Sequence, residues 1–323
     1  MLQLTAMKKT LLITYCILSL LSLQAQKREE GFDFYFKPAK YVPRYYVVTE
    51  KKDTGWFRQA WYLPEGTLAM EAWYKDSAAT IPHGKESWYH ASRYMKSTGS
   101  YANGKKEGPW LKYNEQGRIT DTAFYVNGHR KGISFGFNNE GYLIDSSNFD
   151  GAGNGVEINW YNEGTVSSAG RWINDTAKHG RWQYFHANGK LRAIEDYKNG
   201  ERINCLCYDE QEQLLDSALC IEREATFPGR EQGWRSFLEK NLDAAVPVRK
   251  GAPLGYYTVM VQFIVETDGS LSGIRPLTKY GYGMEEEVLR ILKRSPKWEP
   301  AFQFGSKVKA YRRQPVTFAV SQR

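Results

Sequence analysis

Aromatic and glycine positions in the middle of the chain recur on a fixed period, with polar residues filling the intervals. Tyr101, Tyr125, Phe149, Trp172 and Tyr197 form one aromatic series; Tyr113, Phe137, Trp160 or Tyr161, and Tyr184 or Phe185 form a second. Glycines keep step in three registers: Gly104, Gly128 and Gly151; Gly108, Gly132, Gly155 and Gly180; Gly117, Gly141, Gly164 and Gly189. The period is about 24 residues. Each unit holds two turn signals, among them Asn103-Gly104, Asn127-Gly128, Asn188-Gly189 and Asn199-Gly200. A tight hairpin turn needs positive φ, which Asn and Gly tolerate. Two turns per period imply two short strands per unit, with the aromatics stacking one unit on. Such a chain grows as a β-meander in which each hairpin buries its apolar face only against its neighbours. The pattern predicts this meander over residues 55–204. Gly84, Trp88 and Tyr89 read as a degraded early copy. Five hairpins make about ten strands, a span near ~50 Å at ~4.8 Å per strand. Residues 26–54 read as an extended lead-in, whose Phe34, Tyr35, Phe36, Tyr41, Tyr45 and Tyr46 can start the sheet.

From Phe227 the pattern changes. Trp234, Phe237, Leu238 and Leu242 fall at helical spacing and predict a short amphipathic helix over 231–242. Residues 256–265 alternate: Val259, Val261, Phe263 and Val265 share one face, and Met260 and Ile264 share the other with Gln262. Asp268-Gly269 is a hairpin turn into a second strand over 270–277. A second helix carries the stripe Met284, Val288, Ile291 and Leu292, with Glu285, Glu286 and Glu287 in its first turn and Lys293 and Arg294 in its last, an order that suits the helix dipole. Pro296 stops it, and a last strand is expected over 308–320. The fold expectation is a β-rich multidomain chain: a repeat β-hairpin meander, a Cys-bearing linker over 205–226, and a small α+β domain over 227–320.

The N-terminus adds a location. Met7-Lys8-Lys9 precedes an apolar run over residues 10–23 and then Gln24-Ala25-Gln26. A short basic region, an apolar run and a small residue at its end form a secretory signal peptide, residues 1–25, cleaved after Ala25. The run is shorter than the roughly 20 residues of a membrane-spanning helix. Export leads to an oxidising compartment, so the remaining Cys205, Cys207 and Cys220 are candidates for a disulfide. Cys207–Cys220 or Cys205–Cys220 would close a short loop; Cys205–Cys207 is disfavoured by strand geometry. The net charge of +8 is scattered among acids with no long basic run, so nucleic acid is not an expected partner. Lys105, Lys106, His129, Arg130, Lys131, Lys178 and His179 occupy one turn in successive units and should line one edge, where lipid headgroups could be touched peripherally.

The search for chemistry is unproductive. The five His (His83, His90, His129, His179 and His186) lie in or beside predicted turns without metal-ligand spacing. No Gly-x-Ser-x-Gly, His-Glu-x-x-His or phosphate loop occurs. The expectation is a protein that is not an enzyme, with no metal and no cofactor.

Two resemblances follow. Residues 101–117 and 172–189 resemble the MORN repeat and the related YwqK antitoxin-like repeats, families in which the repeats are scaffolds or interaction surfaces. Phe227-Pro228-Gly229, residues 261–265, Asp268-Gly269, the helix over 285–293, Pro296 to Pro300 with Trp298, Gly305 with Val308, and Pro315-Val316-Thr317-Phe318 together resemble the TonB C-terminal domain. Arg230 stands where many relatives carry a second Gly, and residues 242–255 are irregular against the family pattern. The TonB resemblance implies a module that holds the N-terminal segment of an outer-membrane TonB-dependent transporter as an added strand, in the periplasm or cell envelope of a Gram-negative bacterium. The candidate edge is the final strand, with Gln314, Pro315, Val316, Thr317 and Phe318. Inner-membrane motor proteins would be further partners of a full energy transducer. Against that stand an apolar segment without the His of the family's anchor helix and 12 dispersed Pro in place of a spacer. The expectation is therefore an adaptor, with a periplasmic scaffold whose repeats bind a protein or membrane surface as the alternative.

Overall fold

The computed structural model describes residues 26–321. The segment assigned to export, residues 1–25, lies outside the described residues. Fifteen antiparallel strands form one meander in strict sequence order, from β1 (Lys27–Phe32) through β2 (Tyr45–Lys52) to β15 (Glu201–Cys207). The expected ten strands are thus too few, and the span becomes roughly 70 Å. Two of the extra strands lie before residue 55, and the other three lie within the repeats, where thirteen strands begin in place of ten. β1 and β2 pair in register from Lys27↔Glu50 to Phe32↔Tyr45, inside the segment expected only as a lead-in. At the far end the sheet runs past residue 204 to Cys207.

The turns alternate between the two edges of the sheet. On one edge sit tight turns in which both central residues are left-handed: Asn103 and Gly104 at φ 53° and 82°, Asn127 and Gly128 at 49° and 90°, Asn199 and Gly200 at 54° and 88°. On the other edge the turns are longer. Asn188-Gly189 belongs there: Gly189 alone is left-handed, and its N–H donates to His186 O at 2.9 Å. The dipeptide therefore closes a wider hairpin than its sequence suggested, because the strand before it stops at Phe185 and the strand after it starts at Leu191.

One face of the sheet carries its aromatic core, built by a device that repeats three units apart. Trp110 in β7 (Lys105–Tyr113) lies flat over Gly99 of β6 (Met95–Ala102), and Trp182 in β13 (Ala177–Phe185) over Gly170 of β12 (Val166–Ile173). Each indole N–H donates to the carbonyl just after its glycine, Ser100 O at 3.2 Å and Arg171 O at 2.9 Å. Each indole also meets an aromatic neighbour edge-on, Tyr101 at 5.0 Å and Trp172 at 5.1 Å.

A small α+β domain follows. Its elements are β16 (Glu222–Arg223), α1 (Arg230–Asn241), α2 (Val246–Arg249), β17 (Gly255–Val265), β18 (Leu271–Pro276), α3 (Met284–Lys293), β19 (Ala301–Gln303), β20 (Ser306–Val308) and β21 (Ala310–Val320). Its main sheet has the order β18-β17-β21. The inward face of β17 (Val259, Val261, Phe263, Val265) and the stripe Met284, Val288, Ile291 and Leu292 of α3 are at most 1% exposed and form one core. Trp298 packs into it against Phe263 at 5.0 Å and Phe227 at 5.5 Å. Glu285 and Glu287 are more than dipole charges. Both are buried; Glu285 accepts the Tyr280 N–H at 2.7 Å and Glu287 the Asp243 N–H at 2.7 Å, tying loops to the helix start.

Two local features depart from expectation. The last strand expected over 308–320 forms as β21, but its first expected residue lies outside it: Val308 ends β20, which turns back on β19 (Ala301↔Val308). The residues expected as a linker are folded: β16 pairs with β19 through Glu222↔Gln303 and Arg223↔Phe302.

Candidate interaction surfaces

The proposed edge strand is β21. All eleven residues pair with β17, from Gly255↔Val320 to Val265↔Ala310, and among the described residues no strand pairs with its other side. Which N–H groups face outward follows from Met260. Its N–H donates to Thr278 Oγ1 at 3.1 Å and its carbonyl accepts from Leu277 N–H at 2.7 Å, so its main chain turns toward the β18 side. Its partner Pro315 must then turn its own main chain away from β17. By alternation Tyr311, Arg313, Thr317 and Ala319 present outward N–H groups, whereas Gln314, Val316 and Phe318 donate inward. The five residues singled out therefore divide. Thr317 offers an outward donor and Pro315 only an outward carbonyl. Val316 and Phe318, 2% and 1% exposed, have side chains in the core. Pro315 interrupts the donor row, a device that limits indiscriminate strand pairing.

Cys207 at the end of β15 is joined to Cys220, with Cα atoms 5.6 Å apart, and Cys205 is a free thiol. Cys205 and Cys207 share a strand face two residues apart. The disulfide packs with Ala193 and Phe304 in a small core that joins the last repeat to the α+β domain. Burial, with Glu195 next, pushes the Cys205 thiol pKa up.

The basic residues expected along the tight-turn edge do not form a free basic rim. Lys105, His129 and Lys131 are exposed, but three others turn inward. The Lys106 ammonium lies 4.3 Å from the Trp110 ring and 4.8 Å from Tyr125; Lys178 lies 4.7 Å from Trp182 and 5.1 Å from Tyr197. The Arg130 guanidinium stacks at 3.7 Å on Phe149 and donates to the Asp175 carbonyl. Their attraction to the ring faces outweighs full hydration. The signal was present in the sequence: Lys106 and Arg130 each stand two residues after the glycine of a tight turn.

The histidines are structural ties. His90 Nε2 lies 2.9 Å from Tyr113 O, and His186 Nε2 lies 3.0 Å from Tyr208 O, each linking one hairpin to the next. Among the described residues no group of three or more His, Cys, Asp or Glu is placed to hold a metal, and no helix is long and apolar enough to cross a membrane.

Two further surfaces were not legible in the sequence. The α+β domain packs on the aromatic face of the sheet, through Tyr184 and Phe304 at 4.8 Å, Arg192 Nη2 to Gln303 O at 2.8 Å, and an Arg275–Glu115 ion pair at 3.1 Å. Between them lies a cleft of about 1210 Å³. The opposite face of the sheet carries Phe124, Ile133, Phe135, Val156 and Ile158, all exposed, on β8 (Ile119–Val126), β9 (His129–Phe137) and β11 (Gly155–Trp160). Their common face follows from the pairs Thr122↔Phe135, Asn148↔Ile133 and Asn148↔Val156.

Among known families, the MORN repeat variant matches residues 178–199, which span most of β13 and its hairpin with β14 (Leu191–Lys198). No curated protein matches the chain.

Proposed function

We propose that this repeat β-protein is an exported envelope scaffold whose hairpin sheet binds a protein partner on its uncovered face, with no chemistry and no energy transduction of its own. The observation that carries the reading is the apolar patch on β8, β9 and β11. Ile133 is 62% and Val156 47% exposed, on either side of the polar Ser146 and Asn148 of the strand between them, and several large apolar side chains exposed on one face of a folded chain are characteristic of an interaction site. The MORN repeat match supports a scaffold, and the N-terminal basic and apolar pattern supports export to the periplasm. A test uses the full chain with Ile133→Lys and Val156→Lys, both outward-facing and tolerable to the fold. The expected result is loss of a partner cross-linked to wild type in envelope extracts, with an unchanged circular dichroism spectrum. Retention of that partner by the folded double variant removes the patch from the reading.

One observation favours a second reading. β21 is an eleven-residue strand with one side unpaired among the described residues and outward N–H groups at Tyr311, Arg313, Thr317 and Ala319. Such an edge can accept an added strand. Together with the TonB-like motifs it supports a module that holds the N-terminal segment of an outer-membrane TonB-dependent transporter, with inner-membrane motor proteins as further partners. A peptide bound by the Ile133→Lys/Val156→Lys variant but not by a β21 variant distinguishes this reading from the first.

A further inference from the structure

We propose that the cleft between the repeat sheet and the α+β domain is a binding site for a small ligand that carries an anionic group on a flat apolar body, with Lys96 and Arg313 holding the anion. The two cations come from different domains: Lys96 from β6 and Arg313 from the outward face of β21, and both line the cleft. Both are partly open to solvent, and burial, with the positive charge of Arg313 next, lowers the Lys96 pKa. The other arginines of the lining are already paired, Arg44 with Glu65 at 2.7 Å and Arg275 with Glu115 at 3.1 Å. Lys96 and Arg313 form no ion pair among the described residues; Arg313 Nε has only Gln262 Oε1, at 3.4 Å. Lys279 and Glu286, also in the lining, offset one another in formal charge, and Glu285 is engaged by the Tyr280 and Gly281 N–H groups.

An anion seated in the cleft between these two cations is attracted by both and accepts hydrogen bonds from each. Beside them lies a surface for a ring. The Lys96 ammonium is 6.0 Å from the Trp88 ring centroid, and Phe36 meets Trp88 at 4.8 Å and Tyr45 at 5.3 Å. Phe36 sits there with φ 60°, a left-handed conformation unusual for a bulky residue. Met260 of β17, 1% exposed, belongs to the opposite wall. The cleft is larger than a drug-sized ligand needs and combines an apolar lining with a few convergent polar groups. A bound ligand would touch both domains and hold them together.

The shared chemistry is an anion on a ring, and two sources, a phosphate ester and a carboxylate, are separated by the probes. Calorimetric titration of the full chain with phenyl phosphate and with benzoate, against inorganic phosphate and benzyl alcohol, is expected to show at least one ring-bearing anion binding about ten-fold tighter than either half-probe, the scale of a hydrogen bond to a charged group. Whichever of the two binds tighter names the source. Lys96→Gln and Arg313→Gln should each lose about ten-fold, Lys96→Arg should lose little, and the unliganded Gln variants should melt no lower than wild type. If a Gln variant melts early, mass-spectrometric measurement of Lys96 acylation in the wild-type chain replaces it, and the probe should slow that acylation. No binding by either ring-bearing anion, binding unchanged in the Gln variants, or acylation indifferent to the probe overturns the site.

Discussion

The glycine beneath Trp182 is the sharpest point at which this sheet can be tested. Gly170 has ordinary strand backbone, so alanine is conformationally allowed there. Its Cβ, however, would lie 2.1 Å from the indole of Trp182, well inside contact distance. The ring would have to lift by more than 1 Å, roughly the shortfall from an ordinary carbon contact of ~3.5–4.0 Å. Lifting stretches the indole N–H bond to Arg171 O, moves the ring off the Lys178 ammonium and disturbs the edge contact with Trp172. Overpacking of this kind costs about 1–3 kcal/mol, and a lost hydrogen bond adds about 1. Replacing a strand glycine returns about 0.5–1 kcal/mol of backbone entropy. The net expectation for Gly170→Ala is a loss of about 2–3 kcal/mol. Trp182→Ala alone should cost about 3–5 kcal/mol. In the Trp182→Ala background the same Gly170→Ala change should become neutral or mildly stabilising, since the clash is gone and only the entropy gain is left. Urea unfolding of the four proteins, followed by far-ultraviolet circular dichroism, measures the cycle. A Gly170→Ala protein as stable as wild type, or an equal cost in both backgrounds, refutes the packing argument. The Gly99–Trp110 pair, where the distance is 2.2 Å, should repeat the result.

At the open edge, Thr317→Pro removes an outward donor while leaving the β17 ladder intact and should weaken strand addition by about 2- to 12-fold, whereas Thr317→Ser should be mild; a folded Pro variant that binds a transporter peptide like wild type refutes the edge assignment. Thiol counting of the mature chain under denaturing, non-reducing conditions should give one free thiol, at Cys205, and three would refute the Cys207–Cys220 bond. Asp145 lies against Gly136, and burial, then Glu157 and Asp121, raise its carboxyl pKa. An acid whose folded pKa is raised costs stability once pH climbs through the ordinary carboxylate range and past that raised value. Asp145→Asn should therefore stabilise the chain at neutral pH and lose the advantage as pH falls back through that window; an equal effect at pH 3 and pH 7 would contradict the shift.

Much of the architecture is local in origin, and local features are legible. The Asn-Gly turns at 103–104, 127–128 and 199–200 need only the left-handed tolerance of those two residues. The period of about 24 residues follows because each hairpin repeats the same packing on its neighbour. α3 shows in sequence because its apolar stripe and charged ends are properties of a single helix, and the two faces of β17 show because side chains alternate along any strand.

What stayed hidden depends on residues far apart in the chain. β1 and β2 carry no repeat signature, and they are strands only because each finds a partner edge. β16 and β19 are two and three residues long and hold together across about 80 positions of sequence, too little for any local signal. Alternation places Cys205 and Cys207 on the same face, so the sequence could not choose between them. The reversal that pairs Tyr208 with Leu214 brings Cys220 back to Cys207. In the candidate edge, composition marked Gln314 to Phe318 alike, yet the direction of each N–H follows from the pairing of Pro315 with Met260. Lys96 and Arg313, more than 200 residues apart, line one cleft only because the α+β domain folds back onto the face of the sheet where the repeats began. The sequence determined the units and their turns, since these are set by contacts within a few residues. The tertiary structure alone decided which edges stay open, which face is covered, and which charges are left without a partner, because each depends on long-range packing.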